Sequence, residues 1–205
     1  MLTVTGTLYD SDKTALDEVE GQLHTMSGLF VSFESNGGDF NIGERLERLL
    51  LVARQKMPVI SYVRQAQSTC VLPSLVSDRV YGDQNAICGG VGMIFFTCDG
   101  STPTMVINSQ SPRKHEGRPP TWPPRNFADE AKRLRLQEIA DRQYEKDIEL
   151  AAGYCCQPVD ALRPYLDGRP LTAGESLKCG LLNRICSEDA AYAALLKMAD
   201  SWPKS

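Results

Sequence analysis

The chain reads as an α/β protein with a mostly parallel sheet, and three observations predict this. Two apolar runs, Leu29 to Phe33 and Val59 to Val63, read as strands. The segment between them carries Ile42, Leu46, Leu49, Leu50 and Ala53 on one helical face. The chain also starts on strand-like sequence, "MLTVTGTLYD", and reaches Leu29 through a further helical pattern. Strand, helix, strand, helix, strand is a βαβ series, which implies right-handed crossovers and parallel strands.

The elements follow in order. Leu2, Val4, Thr5 and Leu8 suggest a first strand with Gly6 inside it, and Asp10-Ser11-Asp12 supplies helix N-cap chemistry. Leu16, Val19, Leu23 and Met26 recur at helical spacing until Gly28 breaks the pattern. The second strand ends in a turn at Gly37-Gly38, and Pro58 marks the exit of the second helix. "STCVLPSLV" (68–76) is apolar enough for a buried helix, but Pro73 predicts that it is short or kinked. Arg79-Val80-Tyr81 is a short strand, and "AICGGVGMIFF" is a glycine turn entering another. "TCDGSTPT" predicts a hairpin returning through Met105-Val106-Ile107.

Residues 108–126 hold five prolines and read as a loop. The longest helix is expected over Phe127 to Ala152, with Leu136, Ile139, Ala140, Tyr144, Ile148 and Ala151 as its apolar stripe and Gly153 as its stop. A short helix near Val159 to Leu166, a turn at 167–170, a helix over Thr172 to Cys179 and a last helix near Asp189 to Ala199 complete the chain.

Length and composition bound the function. At 205 residues the chain is expected to form one domain: a core sheet with its helices over 1–107, the proline-rich loop over 108–126, and a helical closing part over 127–205. A net charge of −4 argues against a nucleic-acid surface, and Arg113, Lys114 and Arg118, the nearest approach to a basic cluster, fall in the loop. Seven cysteines, an odd number without metal-type spacing, read as free and largely buried thiols in a reducing compartment. No metal or cofactor is expected. His24 and His115 are the two histidines, so a histidine base would have to be one of them. No secretory pattern and no apolar stretch of membrane-spanning length is evident, which predicts a soluble, cytoplasmic protein, or the soluble part of a longer membrane-associated or phage-encoded one.

The chemistry concentrates in Ser35-Asn36-Gly37-Gly38-Asp39 and in Ser68, both placed at carboxyl ends of strands, where ligands of parallel sheets gather. A strand that brings paired glycines to the mouth of a helix presents backbone N–H groups to something anionic. A serine delivered by the next strand can lie beside them, as a nucleophile beside an oxyanion hole. Taken alone, Ser68 would be a helix cap, Gly37-Gly38 a tight turn and Lys114 a solvated charge.

Three segments in this order, "FVSFESNGGDFNIGERLERLL", "QAQSTCVLPSLVSDRVYGDQNAICGGVGMI" and "YLDGRPLTAGESLKCGLLNRI", resemble the signal peptide peptidase A (SppA) family of serine peptidases. That family has the ClpP/crotonase-like fold, a spiral of βαβ units with C-terminal helices. The ClpP branch is less similar, because it carries a histidine after the nucleophile where Gly90 to Phe96 has none. The resemblance places Ser68 at the nucleophile, the backbone N–H groups of Gly38 and Thr69 at the oxyanion hole, and Lys114 at the general base. Gly37 is an alternate donor and His115 an alternate base. It implies a Ser–Lys dyad that cleaves peptides or unfolded protein through an acyl-enzyme inside a homo-oligomer, without a cofactor. The chain departs from the family pattern at Asn36, where proline is usual, and at Gln67, Thr69 and Cys70, where small residues are usual. Those departures keep open an inactive scaffold or binding protein. A phage head-maturation protease and acyl-CoA chemistry of the crotonase type are further readings.

Overall fold

A computed structural model describes residues 1–99, 102–108 and 130–203. The central sheet is built by strands β1 (Leu2–Leu8), β2 (Leu29–Gly38), β3 (Val59–Gln67) and β4 (Arg79–Gly89), paired in that order and all parallel. Helix α1 (Lys13–Gln22) links the first two strands, α2 (Phe40–Lys56) the next two, and a 3-10 turn with the short α3 (Val71–Leu75) joins β3 to β4. Strands β5 (Ile94–Asp99) and β6 (Thr102–Asn108) form a separate antiparallel hairpin. Helix α4 (Glu130–Cys155), the short α5 (Val159–Leu162), strand β7 (Pro170–Thr172), α6 (Ala173–Cys179), strand β8 (Arg184–Ile185) and α7 (Glu188–Ser201) follow. β7 closes the sheet antiparallel to β4, and β8 adds to β4 in parallel.

Period-two alternation sorts the strands between two cores. Leu29, Val31, Phe33, Val59 and Val63 point into the larger one, with Ile42, Leu46, Leu49, Leu50 and Ala53 of α2 and with Tyr144, Ile148 and Ala151 of α4. Phe30, Ile60 and Tyr62 point the other way and are covered by Ala191 and Leu195 of α7. Both faces of β2 and β3 are thus buried, which is why these strands read as unbroken apolar runs.

Several expectations change in detail. Asp10–Asp12 form a 3-10 turn rather than a simple cap, with Asp12 Oδ2 accepting from the Tyr9 N–H at 2.8 Å. The glycine pair does not leave the sheet as a turn: Gly37 and Gly38 are the last two residues of β2 and pair with Thr7 and Leu8. Pro73 does confine the next helix, to the five residues of α3. β4 runs 11 residues, far past Tyr81. Ile139, assigned to the apolar stripe of α4, is 42% exposed. Gly153 does not stop α4, which continues to Cys155. Cys156 takes the left-handed conformation (φ 52), with its N–H bonded to Gly153 O at 3.3 Å and the Gln157 N–H to Ala152 O at 3.0 Å. That pair of bonds is a Schellman closure formed without glycine at its left-handed position. The proline-rich loop lies outside the described residues apart from Asn108.

The strands share one further irregularity. β2 carries an unpaired residue at Asn36, β3 one at Arg64, and β4 four, residues 83–86. In each strand the ladder breaks a few residues before its carboxyl end. Bulges bend and twist a strand and re-aim the residues beyond them. The residues re-aimed in this way are Gly37-Gly38 in β2 and Ser68 after β3.

Candidate active site

Ser68 is the first residue after β3 and opens the 3-10 turn Ser68–Cys70 that leads into α3. Its φ is 53, and among the described residues it shares positive φ with only one other non-glycine residue, Cys156. A side chain held left-handed at a strand-to-helix corner costs on the order of 1 kcal/mol and persists where packing enforces it. The same geometry lifts a serine hydroxyl clear of its flanking backbone.

The end of β2 enforces it. Gly37 has φ 91, and a Cβ there would lie 2.7 Å from Gln67 O, 2.8 Å from Ser68 Cβ and 3.0 Å from the Thr69 nitrogen. Gly38 has φ 147, and a Cβ there would lie 2.3 Å from Leu8 O. Only glycine lets β2 slip between β1 and the serine turn. Beyond the pair, Asp39 caps α2, accepting from the Asn41 N–H at 2.8 Å and the Ile42 N–H at 3.2 Å.

Gly38, Ser68 and Thr69 line one cleft of about 710 Å³. Its walls come from Glu44, Glu47 and Leu51 of α2, from Leu72 of α3, and from Val91, Gly92 and Met93 in the link to the hairpin. The fourth wall is α4, through Gln143, Lys146, Asp147, Leu150 and Tyr154. Of the two glycines, Gly38 faces this space. The Gly37 N–H donates to the buried Ser35 Oγ at 3.1 Å.

The α2 and α4 walls bring charges together. Lys146 Nζ lies 3.8 Å from Glu44 Oε1, and the Tyr154 hydroxyl donates to Glu47 Oε1. The Gln143 amide donates to Asp147 Oδ1 at 2.6 Å. Burial pushes the Asp147 carboxyl up to about 6; the neighbouring Glu47 and Glu44 add to this, against the Gln143 hydrogen bond and Lys146. Burial also raises the Tyr154 hydroxyl, reinforced by Glu47. Behind the site, burial pushes the Cys70 thiol up to about 11, so it stays a neutral S–H donor.

The sequence reading did not foresee the α4 wall. Its signal was present as Gln143, Asp147, Leu150 and Tyr154, spaced along one helical face beside the apolar stripe. Lys114 and His115 lie outside the described residues. The segment that carries them departs from Asn108, which pairs with Ile94, the residue after Met93 of the cleft wall. His24 is exposed in the 3-10 turn Leu23–Thr25 that follows α1. Cys70, Cys88, Cys155, Cys156, Cys179 and Cys186 are free, and among the described residues no group of side chains is arranged to hold a metal ion and no helix is long and apolar enough to cross a membrane.

No protein-family model and no curated protein matches the chain. Solved structures do. A mutant of 1510-N, a membrane-bound stomatin-specific protease, superposes with a TM-score of 0.64 at 13% identity, over 92% of this chain and 80% of that one. A mutant of ClpP1 from Listeria monocytogenes superposes with a TM-score of 0.58 at 12% identity, over 93% of each chain. The chain, with its parallel four-stranded core, the hairpin after β4 and the helical closing part, thus has a ClpP-like α/β fold.

Proposed function

We propose that the chain is a serine peptidase of the SppA-like kind, working through a Ser68–Lys114 dyad. The reading is carried by one observation: a left-handed serine at a strand-to-helix corner, packed against a glycine pair, opening on a cleft that Gly38 and Thr69 also line. The hydroxyl of Ser68 loses its proton to the Lys114 amine as Oγ attacks the scissile carbonyl carbon. The developing oxyanion takes hydrogen bonds from the N–H groups of Gly38 and Thr69. The Lys114 ammonium returns the proton to the departing amine, and water then hydrolyses the acyl-serine by the same route.

A lysine can act as a base only when uncharged, so Lys114 must be drawn from its ordinary value of about 10.4 toward neutrality by burial. Lys114 is six positions along the chain from Asn108, which pairs with Ile94 next to the cleft wall, a reach of up to roughly 20 Å. The dyad therefore requires the Lys114 amine to be buried beside Ser68, within a subunit or between subunits of a homo-oligomer. Lys146, the lysine that lines the described cleft wall, is paired with Glu44. Substrates are peptides or unfolded segments able to lie along the cleft.

The test is covalent labelling with a fluorophosphonate across pH 6 to 9. Modification of the wild type and not of Ser68→Ala supports the peptidase. A wild type that is assembled yet unlabelled at every pH overturns it in favour of a scaffold or binding protein.

A further inference from the structure

We propose that Ser35 is a positioning residue: its hydroxyl, set into the ladder where β2 bulges, holds the Gly37–Gly38 backbone at the angle from which Gly38 serves Ser68. The proposal rests on the peptidase reading for its catalytic meaning and on the hydrogen bonds around the bulge for its substance.

Along β1 and β2, Gly6 pairs with Ser35 and Thr7 with Gly37, so Asn36 has no partner on β1. An extra residue of this kind interrupts the ladder. Ser35 Oγ bridges the interruption, donating to Gly6 O at 2.6 Å and accepting from the Gly37 N–H at 3.1 Å. A hydroxyl has one donor and two acceptor sites. The remaining acceptor site takes the S–H of Cys70 at 3.2 Å, and Cys70 ends the 3-10 turn that Ser68 begins. One oxygen atom, on a residue with no exposure, thus ties together β1, the glycine pair and the serine turn.

The bulged residue is fixed from the other side as well, since the Gln65 amide of β3 donates to Asn36 Oδ1. Without the Ser35 hydroxyl, the buried Gly37 N–H would lose its partner, and the Gly6 C=O would lose the bond that ties it to β2. The bulge would relax toward a direct ladder bond, and Gly38, next along the strand, would rotate with it.

A merely structural role is separated by Ser61 of β3, another fully buried serine of the same sheet, whose hydroxyl pairs with that of Ser77 at 2.6 Å. Wild type, Ser35→Ala, Ser35→Thr and Ser61→Ala are compared by melting temperature and by fluorophosphonate labelling rate well below every melting point. Folded Ser35→Ala is expected to label roughly 100-fold more slowly, the scale of a misplacement near 1 Å. Peptide turnover is expected to lose kcat with KM unchanged, Ser35→Thr to recover most of the rate, and Ser61→Ala to melt lower while labelling like wild type. Equal rates for Ser35→Ala and wild type, or an equal slowing in Ser61→Ala, overturn the proposal.

If Ser35→Ala does not fold, Cys70→Ser and Cys70→Ala decide. The serine keeps a donor toward Ser35 Oγ and is expected to label at least about threefold faster than the alanine; equal rates overturn the proposal. If the wild type is not labelled at all, the peptidase reading fails by itself. The positioning is then read from hydrogen exchange of the 35–39 segment: selectively faster exchange in Ser35→Ala, or in Cys70→Ala should Ser35→Ala not fold, supports it, and unchanged exchange overturns it.

Discussion

A Cβ on Gly37 would lie 2.8 Å from the Cβ of Ser68, so the end of one strand and the corner after the next occupy a space that a single methyl group would destroy. The serine's backbone conformation and the glycine's lack of a side chain are two sides of the same contact. Substitution at either residue probes it.

Gly37→Ala should therefore damage both stability and site. The added methyl meets Gln67 O and the Thr69 nitrogen as well as Ser68, on a backbone with φ 91. A loss on the order of 2–3 kcal/mol in urea unfolding is expected. Any folded fraction should label at Ser68 far more slowly than wild type. A variant of unchanged stability and labelling would show that the close approach of β2 to the serine turn is misplaced.

Ser68 itself stores strain, and two substitutions isolate it. Ser68→Ala removes the hydroxyl but keeps the left-handed strain, whereas Ser68→Gly removes both. The glycine variant should be more stable than the alanine variant by about 1 kcal/mol, the reverse of the order expected on an ordinary strand or helix. Urea midpoints of the two variants give the answer without any assay of activity.

Asp147 makes stability depend on pH in a direction opposite to most carboxylates. Its folded value is raised to about 6 by burial, above the ordinary carboxylate value near 3.9. The folded state therefore holds its proton more tightly than the unfolded chain, and this group's contribution worsens as pH rises between about 4 and 6. Above that window the full cost, on the order of 2 kcal/mol, is present. Asp147→Asn keeps an oxygen for the Gln143 amide and should be more stable than wild type at pH 8. The difference should shrink toward pH 4. A difference that does not change with pH would refute the assignment.

The two lysines can be told apart. Lys114→Met is expected to slow labelling by at least about 100-fold, the contribution of a general base. Lys146→Met removes the partner of Glu44 and should cost less than about tenfold, mainly through the shape and charge of the cleft wall. The opposite ranking would move the base from the loop to α4.

The sheet and its order were legible because burial writes itself into local pattern. Leu29 to Phe33 and Val59 to Val63 are apolar at every position but one serine, since both their faces are covered, and Ile42 to Ala53 keep helical period because one face is. Ser35-Asn36-Gly37-Gly38-Asp39 and Ser68 stood out for a related reason: few residue types tolerate left-handed backbone, and few carry a nucleophile. Other features carried weaker local marks. β7 and β8 are three and two residues long, too short to show a period. The stop of α4 fell on Cys156 rather than Gly153, because the final turn was set by hydrogen bonds to Gly153 O and Ala152 O and not by the most permissive residue nearby.

Taken by itself, the order of residues determined the first three strands, the longer helices and the chemical types gathered at strand ends, for these depend on neighbours within a few positions along the chain. Tertiary structure alone decided that Asn36 is the bulge, that Ser35 rather than a backbone carbonyl receives the Gly37 N–H, and that α4 lays Lys146 and Asp147 against the same cleft as Ser68. Register, and contact between segments some eighty residues apart, are settled only when the whole core packs, because no local preference distinguishes one pairing from the next.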